Sequence, residues 1–216
     1  MNLSASLVPV ISGVDQSATG RLLRAVLGCM AWPYRLVVAA RNWLFNAGFR
    51  RVRHLGRPTI SVGNITAGGT GKTPMVIELA SRLKAMGLNA GVLLRGYRGG
   101  RDGSDEHMEL ARELGTDIYV AANPNRFKAA RRLLRCDPQP DLFLLDDAFQ
   151  HRQVQRDLDL VLIDATRPFG FDHILPRGLL REPPQNLRRA DVIIVTHADR
   201  VSEECRSRVD DTILRL

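Results

Sequence analysis

The sequence predicts an α/β fold in which an open, mostly parallel sheet carries helices on both faces and is preceded by an amphipathic helix. Three observations carry that reading. Short apolar runs bounded by turn residues recur between residues 59 and 196 and alternate with stretches of helical periodicity, the pattern of parallel strands joined by crossover helices. A glycine-rich turn follows the first of these runs and leads straight into a helical stretch. The chain of 216 residues is 44% apolar, enough for one large or two small packed domains and too apolar for disorder to be its main state.

The first element is the greasy stretch 21–49. Its longest uncharged run is the ten residues 25–34, short of the roughly 20 that a bilayer crossing needs, so the expectation is a helix on a membrane surface and not a transmembrane span. The first charge in the chain is Asp15 and no small-residue cleavage site follows an apolar core, which argues against a secretory signal. Wound at about 100° per residue, Leu22, Val26, Met30, Val37 and Leu44 share one side, with Arg21, Arg24, Arg35 and Arg50 opposite. Pro33 is expected to kink the helix. Trp32, Tyr34, Trp43 and Phe45 suit a headgroup boundary, although an ordinary amphipathic helix packed on the domain fits the same periodicity. Charge separates the two: residues 1–58 hold eight arginines against the single acid Asp15, so the segment carries +7 of the formal +8. Such asymmetry points to an appendage meeting something anionic, and a body of net charge +1 argues against a nucleic-acid groove. The boundaries are therefore 1–57 for a basic, membrane-surface segment and 58–216 for a nucleotide-binding domain. Three dispersed cysteines, Cys29, Cys136 and Cys205, offer neither a disulfide framework nor a zinc cluster and favour a reducing compartment.

After Arg57-Pro58, residues 59–62 read as a short β-branched strand. It feeds Thr66-Ala67-Gly68-Gly69-Thr70-Gly71-Lys72-Thr73, a phosphate-binding loop whose opening position holds Thr66 where glycine is usual. Gly68, Gly69 and Gly71 let successive N–H groups curl toward phosphate oxygens at the start of the next helix. Lys72 is placed to bridge β- and γ-phosphates, and Thr73 to offer its hydroxyl to Mg²⁺. A glycine-rich turn that binds nothing has no need of the Lys-Thr pair in that order. The fold is thus a P-loop NTPase-type sheet. Further strands are expected over residues 91–94, 118–121, 142–145, 158–163 and 192–196, and helices over 74–86, 106–114, 125–134 and 202–214. Ligands of such sheets gather at the carboxyl ends of strands. There the run 142–145 ends in Asp146-Asp147, a carboxylate pair able to complete a Mg²⁺ shell begun by Thr73; the sequence does not say which of the two meets the metal. Arg95, Arg98, Arg126 and Arg181 are candidates for phosphate contacts, and Gln150 and His151 for hydrogen bonds near an acceptor, with a structural histidine equally consistent at 151.

Together, Val62-Gly63-Asn64-Ile65 with the loop through Pro74, Arg95-Gly96-Tyr97-Arg98, Asp105-Glu106, the block 146–152 and Leu175-Pro176-Arg177-Gly178-Leu179-Leu180-Arg181-Glu182-Pro183 resemble the tetraacyldisaccharide 4′-kinase family, lipid A 4′-kinases of Gram-negative envelope synthesis. The resemblance runs in register over residues 58–199, and the threonine opening the loop is a departure the family shares. It implies transfer of the ATP γ-phosphate, with Mg²⁺, to the 4′-hydroxyl of a tetraacylated glucosamine disaccharide 1-phosphate. It implies a peripheral enzyme on the cytoplasmic face of the inner membrane. On this resemblance Asp105 is the base that takes the hydroxyl proton, with Lys72 and Asp147 also catalytic. Residues 66–73 then hold nucleotide, Thr73, Asp146 and Asp147 hold the metal, and Gln150, His151, Arg181 and Arg126 meet the acceptor. An acid at 105 also simply complements the dipole of a helix starting at 106. The family continues into a second α/β lobe that these 216 residues do not reach. The competing functional reading is a membrane-recruited nucleotide switch, or a fragment that binds nucleotide without turning it over.

Overall fold

In the computed structural model, which describes residues 3–96, 114 and 118–216, the β-branched run after Pro58 becomes β1, Thr59–Asn64, buried on both faces at the middle of a six-stranded sheet. The other strands are β2 (Ala90–Leu94), β3 (Tyr119–Ala122), β4 (Leu142–Asp146), β5 (Leu158–Asp164) and β6 (Val192–Thr196). They lie in the order β3-β2-β4-β1-β5-β6, and every neighbouring pair is parallel. Parallel strands covered on both faces need continuous apolar runs, which is why these segments lack the clean alternation of a one-sided sheet. Beginning at β1, the chain first builds toward β3 and later crosses back to β5 and β6. The crevice where the winding reverses therefore opens at the carboxyl end of β1.

Side chains of period two divide the core by face. On one face, Val62, Val92, Leu144 and Leu162 pack against Val76 and Ala80 of α3 (Lys72–Ala85). On the other, Leu93, Phe143 and Leu145 meet Ala129, Ala130 and Leu133 of α4 (Arg126–Leu133), while Val161 and Ile163 join Val209 of α5 (Glu203–Leu214). The Asn125 side chain caps α4 by accepting from Phe127 N and Lys128 N, and Ser202 caps α5 from Cys205 N. Helix α3 starts two residues before the expected position because Gly71, at φ 81°, supplies a left-handed cap ahead of Lys72. The helix expected over 106–114 lies outside the described residues apart from Leu114, which is buried in the α3-side core.

One close approach fixes how β4 and β1 meet. A Cβ built on Gly63 would sit 2.6 Å from both the Cβ and the backbone nitrogen of Phe149. Gly63→Ala must push apart two backbones and is expected to lower the free energy of unfolding by about 1–3 kcal/mol, read from urea unfolding curves.

The N-terminal segment forms two helices, α1 (Leu3–Ile11), which the periodicity did not signal, and α2 (Ala18–Asn46), which runs unbroken through Pro33. Among the described residues, α2 is the one helix long and apolar enough to cross a membrane by length and composition. Most of its large apolar side chains face outward. Gly20, Val38, Asn42 and Phe45 turn inward with Arg24 and Arg41 partly covered, while Leu22, Val26, Met30, Trp32, Val37 and Trp43 are exposed. Polar side chains hold it to the body. Arg41 lies 2.5 Å from Glu182, Asn42 Nδ2 donates to Glu182 at 3.2 Å, and Arg152 donates to Asn42 O and Asn46 Oδ1 at 3.1 and 2.7 Å.

Candidate nucleotide site

Parallel pairing of β1 with β4 sets Val62 beside Asp146, so the strand that launches the phosphate loop ends level with the carboxylate pair. The loop continues from Asn64, whose buried Nδ2 donates to Thr70 Oγ1 at 2.9 Å, while Gln150 Nε2 donates to Asn64 O at 2.8 Å. Thr196, at the end of β6, donates to Thr70 O at 3.1 Å from the other side. Gly68 at φ 129° and Gly71 at φ 81° make the turns that a side chain at either place resists.

Thr66 has an ordinary negative φ and needs no glycine. It bridges antiparallel to Leu180, Ala67 N donates to Leu179 O at 2.7 Å, and Arg181 N donates to Ile65 O at 2.7 Å. Residues 179–181 thus form a strap along the first half of the loop, and the opening position is part of a strand pairing instead of a turn. Thr66 through Thr70, Leu179, Asp164 and Thr166 surround an open cleft of about 250 Å³.

The sequence-predicted groups converge at the loop's end. Lys72, first residue of α3, has its Nζ 3.7 Å from Asp147 Oδ1. Arg181 Nη1 donates to both oxygens of the same carboxylate at 2.9 and 3.0 Å. Asp147 itself sits at φ 48°, an uncommon backbone for a residue with a side chain and typical of functional positions. The two carboxylates are driven apart electrostatically. For Asp146, burial and then the charge of Asp147 push the pKa up to about 6, against the opposing pull of Lys72. For Asp147, burial pushes up as well, but Arg181 and Lys72 outweigh it and hold the carboxyl below the usual range.

Arg126 is 2% exposed and donates to the backbone oxygens of Asp146 at 2.8 Å and Asn123 at 3.3 Å, with burial lowering its pKa to about 10. In this arrangement it clamps the β4 terminus. His151 is half-buried, and burial followed by the charges of Arg126 and Arg156 lowers its pKa to about 4, so it is neutral at physiological pH. Thr73, the second residue of α3, follows Lys72 at the helix N-terminus. Asp105 and Arg98 lie outside the described residues, and Arg95, just before that gap, is exposed.

Three participants hold roles that the sequence reading did not assign, among them Tyr34, which was expected at a headgroup boundary. Asp164, ending β5, accepts from Thr166 N and Oγ1 at 2.9 and 2.7 Å and stands 3.3 Å from His197 Nδ1; a carboxylate at a strand terminus, as at Asp146, was the available signal. Glu182, fully buried, gathers Arg41, Asn42, Asn186 and Arg189, the last two at 2.7 and 2.9 Å. Tyr34 donates to Arg181 O at 3.1 Å, tying α2 to the residue that grips Asp147. Neither had a local signal.

A family profile described as Tetraacyldisaccharide-1-P 4′-kinase matches residues 23–214. The Tetraacyldisaccharide 4′-kinase of Geobacter sulfurreducens is 42% identical over 210 residues, covering 86% of this chain and 57% of that protein. The protein of the same name from Halothermothrix orenii is 34% identical over 229 residues, covering 98% of this chain and 59% of that one. The crystal structure of "apo" form LpxK from Aquifex aeolicus in complex with ATP has a TM-score of 0.74 and 33% identity to it, over 82% of this chain and 60% of that one. The chain therefore spans somewhat under two thirds of the length of the relatives it matches.

Proposed function

Because this chain belongs to the tetraacyldisaccharide-1-P 4′-kinase family, we propose that it transfers the γ-phosphate of ATP to the 4′-hydroxyl of a tetraacylated glucosamine disaccharide 1-phosphate, a step of lipid A biosynthesis. The observation that carries the reading is the convergence of Lys72, Arg181 and the Asp146-Asp147 pair at the end of a glycine loop. Phosphoryl transfer asks little covalent chemistry of a protein and much positioning and charge neutralisation. Backbone N–H groups of 68–72 are suited to cradle the phosphates, the Ala67 N–H being held by Leu179 O, and Lys72 at the N-terminus of α3 meets the β- and γ-oxygens.

The residues present fit a divalent cation. Asp146 Oδ1 is buried without a hydrogen-bond partner, which is costly unless a cation completes it, and Thr73 is the hydroxyl the loop supplies. Mg²⁺ bound there neutralises phosphate charge as it develops. Asp147, already held by Arg181 and Lys72, keeps both cations oriented, and Arg181 is released to the acceptor or the transferred phosphate when the cleft fills. Asp105 serves as proton acceptor for the hydroxyl on the strength of the family resemblance. Gln150 and His151 border the same end of β4, where a neutral imidazole can accept or donate a hydrogen bond to a sugar.

The outward apolar face of α2 supports a peripheral position on a bilayer, and in this reading the bilayer is the inner membrane, met from its cytoplasmic side. In this reading 1–57 is the surface segment and 58–216 the nucleotide-binding domain. The test is transfer of labelled γ-phosphate from Mg-ATP to tetraacyl disaccharide 1-phosphate in detergent micelles. Labelled lipid is expected, and its absence while ATP still binds overturns the assignment of transfer to this chain.

A further inference from the structure

Most of the excess positive charge of the chain lies in residues 1–58, and the structure gathers three of those arginines at one place. Just past the end of α2, Arg50, Arg51 and Arg53 line an open cleft of about 450 Å³ with Phe49, Asn125 and Phe127. A second hollow continues from Arg53 past Lys128 and Arg131. Among the described residues no carboxylate forms an ion pair with any of these cations. Cations crowded without a counter-charge raise the local potential and favour an anion between them.

The end of α4 does not account for the site, because Asn125 already takes the N–H groups of Phe127 and Lys128. The arginines do. Guanidinium groups match phosphate oxygens in geometry and stay charged at any relevant pH. At the rim, Trp43 and Phe49 are exposed, with ring centroids 5.6 Å apart, and they continue the outward apolar face of α2. An aromatic pair beside a cationic hollow is the arrangement expected at a lipid–water boundary. The cleft is also set apart from the nucleotide site. Arg126 turns to Asp146 O, whereas its neighbours Asn125 and Phe127 line the cleft.

We propose that this arginine-lined cleft binds the phosphate of an anionic glycerophospholipid headgroup in the bilayer, fixing the body of the protein against the membrane at the base of α2. The proposal rests on the reading of α2 as a surface helix, and the experiment separates the two. The full chain is sedimented with vesicles of phosphatidylcholine, of phosphatidylcholine with about one third phosphatidylglycerol, and of phosphatidylcholine with cholesteryl hemisuccinate at equal charge. A variant with Arg50, Arg51 and Arg53 changed to Gln is compared with one in which Arg200, Arg206 and Arg208, on the exposed C-terminal region, are changed to Gln. In parallel, dihexanoyl phosphatidylglycerol below its micelle concentration is titrated against tryptophan fluorescence.

The cleft variant is expected to lose on the order of 100-fold in partitioning to phosphatidylglycerol vesicles, while the matched-charge control changes less than about threefold. Equal losses in both variants, or equal binding to hemisuccinate vesicles, overturn the site and leave the surface helix standing. Binding of the soluble lipid to the wild type but not to the cleft variant, with no vesicle binding at all, supports the site and removes the surface helix. Displacement of the soluble lipid by glucosamine 1-phosphate at lower concentration assigns the cleft to the phosphate of the acceptor and overturns the bilayer as its source.

Discussion

Lys72→Ala is expected to reduce γ-phosphate transfer by on the order of 10²–10³-fold or more, the loss typical of removing one preorganised charge-stabilising donor. The lysine is the first residue of α3 and only 13% exposed at its side chain, so its ammonium is positioned by the helix start and partly shielded from water. It leans on Asp147 at 3.7 Å. The distance is too long for a strong hydrogen bond, and the pair leaves the ammonium able to swing to a phosphate. Removing it leaves Asp147 with Arg181 alone, so the fold should survive. The measurement is kcat and KM for ATP with the labelled-lipid assay, beside an unfolding curve. A fall in kcat with an unchanged unfolding midpoint is the expected pair of results; a fall in both indicates that the lysine is structural.

Glu182→Ala is expected to produce the largest loss of stability, about 3–5 kcal/mol, because it strands cations around a site from which water is excluded. Glu182 has no exposed surface, and Arg41, Arg189, Asn42 and Asn186 all converge on its two oxygens. Removing the carboxylate deprives two guanidinium groups and two amides of the acceptor they share, and the guanidinium groups are only partly open to water. For a chain of this length the drop corresponds to a fall in Tm on the order of 10 °C. Glu182→Gln, which removes the charge and sets an amide N–H among donors, should lose nearly as much. Thermal unfolding of the two variants distinguishes charge burial from the loss of a packed side chain, since the latter makes Gln nearly neutral.

The parts of this molecule that could be read from sequence are those written by neighbours in the chain. The strand, glycines, Lys-Thr and helix of the loop occupy 59 to 85 consecutively, and Asp146-Asp147 terminates an unmistakable apolar run, so backbone chemistry alone located both. Thr66 looked like a defect there because the strap that pairs with it, at Leu180, is remote in sequence. The same remoteness hid the partner of Asp147, since nothing local says that Arg181 will reach it. Periodicity in 21–49 showed that α2 has an apolar and a basic side but not which one faces the body. That choice was made by tertiary hydrogen bonds from Tyr34 and Asn42, whose acceptors lie about 140 residues away. Helix α1 carries Pro9 and only nine residues, too little pattern to stand out.

The strap has a mechanical consequence. Residues 179–181 pair with the loop at Ile65, Thr66 and Ala67, and the next two contacts along the chain, Tyr34 to Arg181 O and Asn42 to Glu182, belong to α2. The helix that faces outward and the loop that faces the phosphates are therefore bolted to opposite edges of the same three-residue splint, with no hinge between them. Through Arg181, whose backbone oxygen takes the Tyr34 hydroxyl and whose guanidinium holds Asp147, α2 is linked to the carboxylate at the mouth of the site. If the outer face of α2 lies on lipid, the plane of that surface becomes a drafting edge that sets the angle from which a hydroxyl can arrive, and a substrate held in the same plane needs only to slide, not to climb, to be in line.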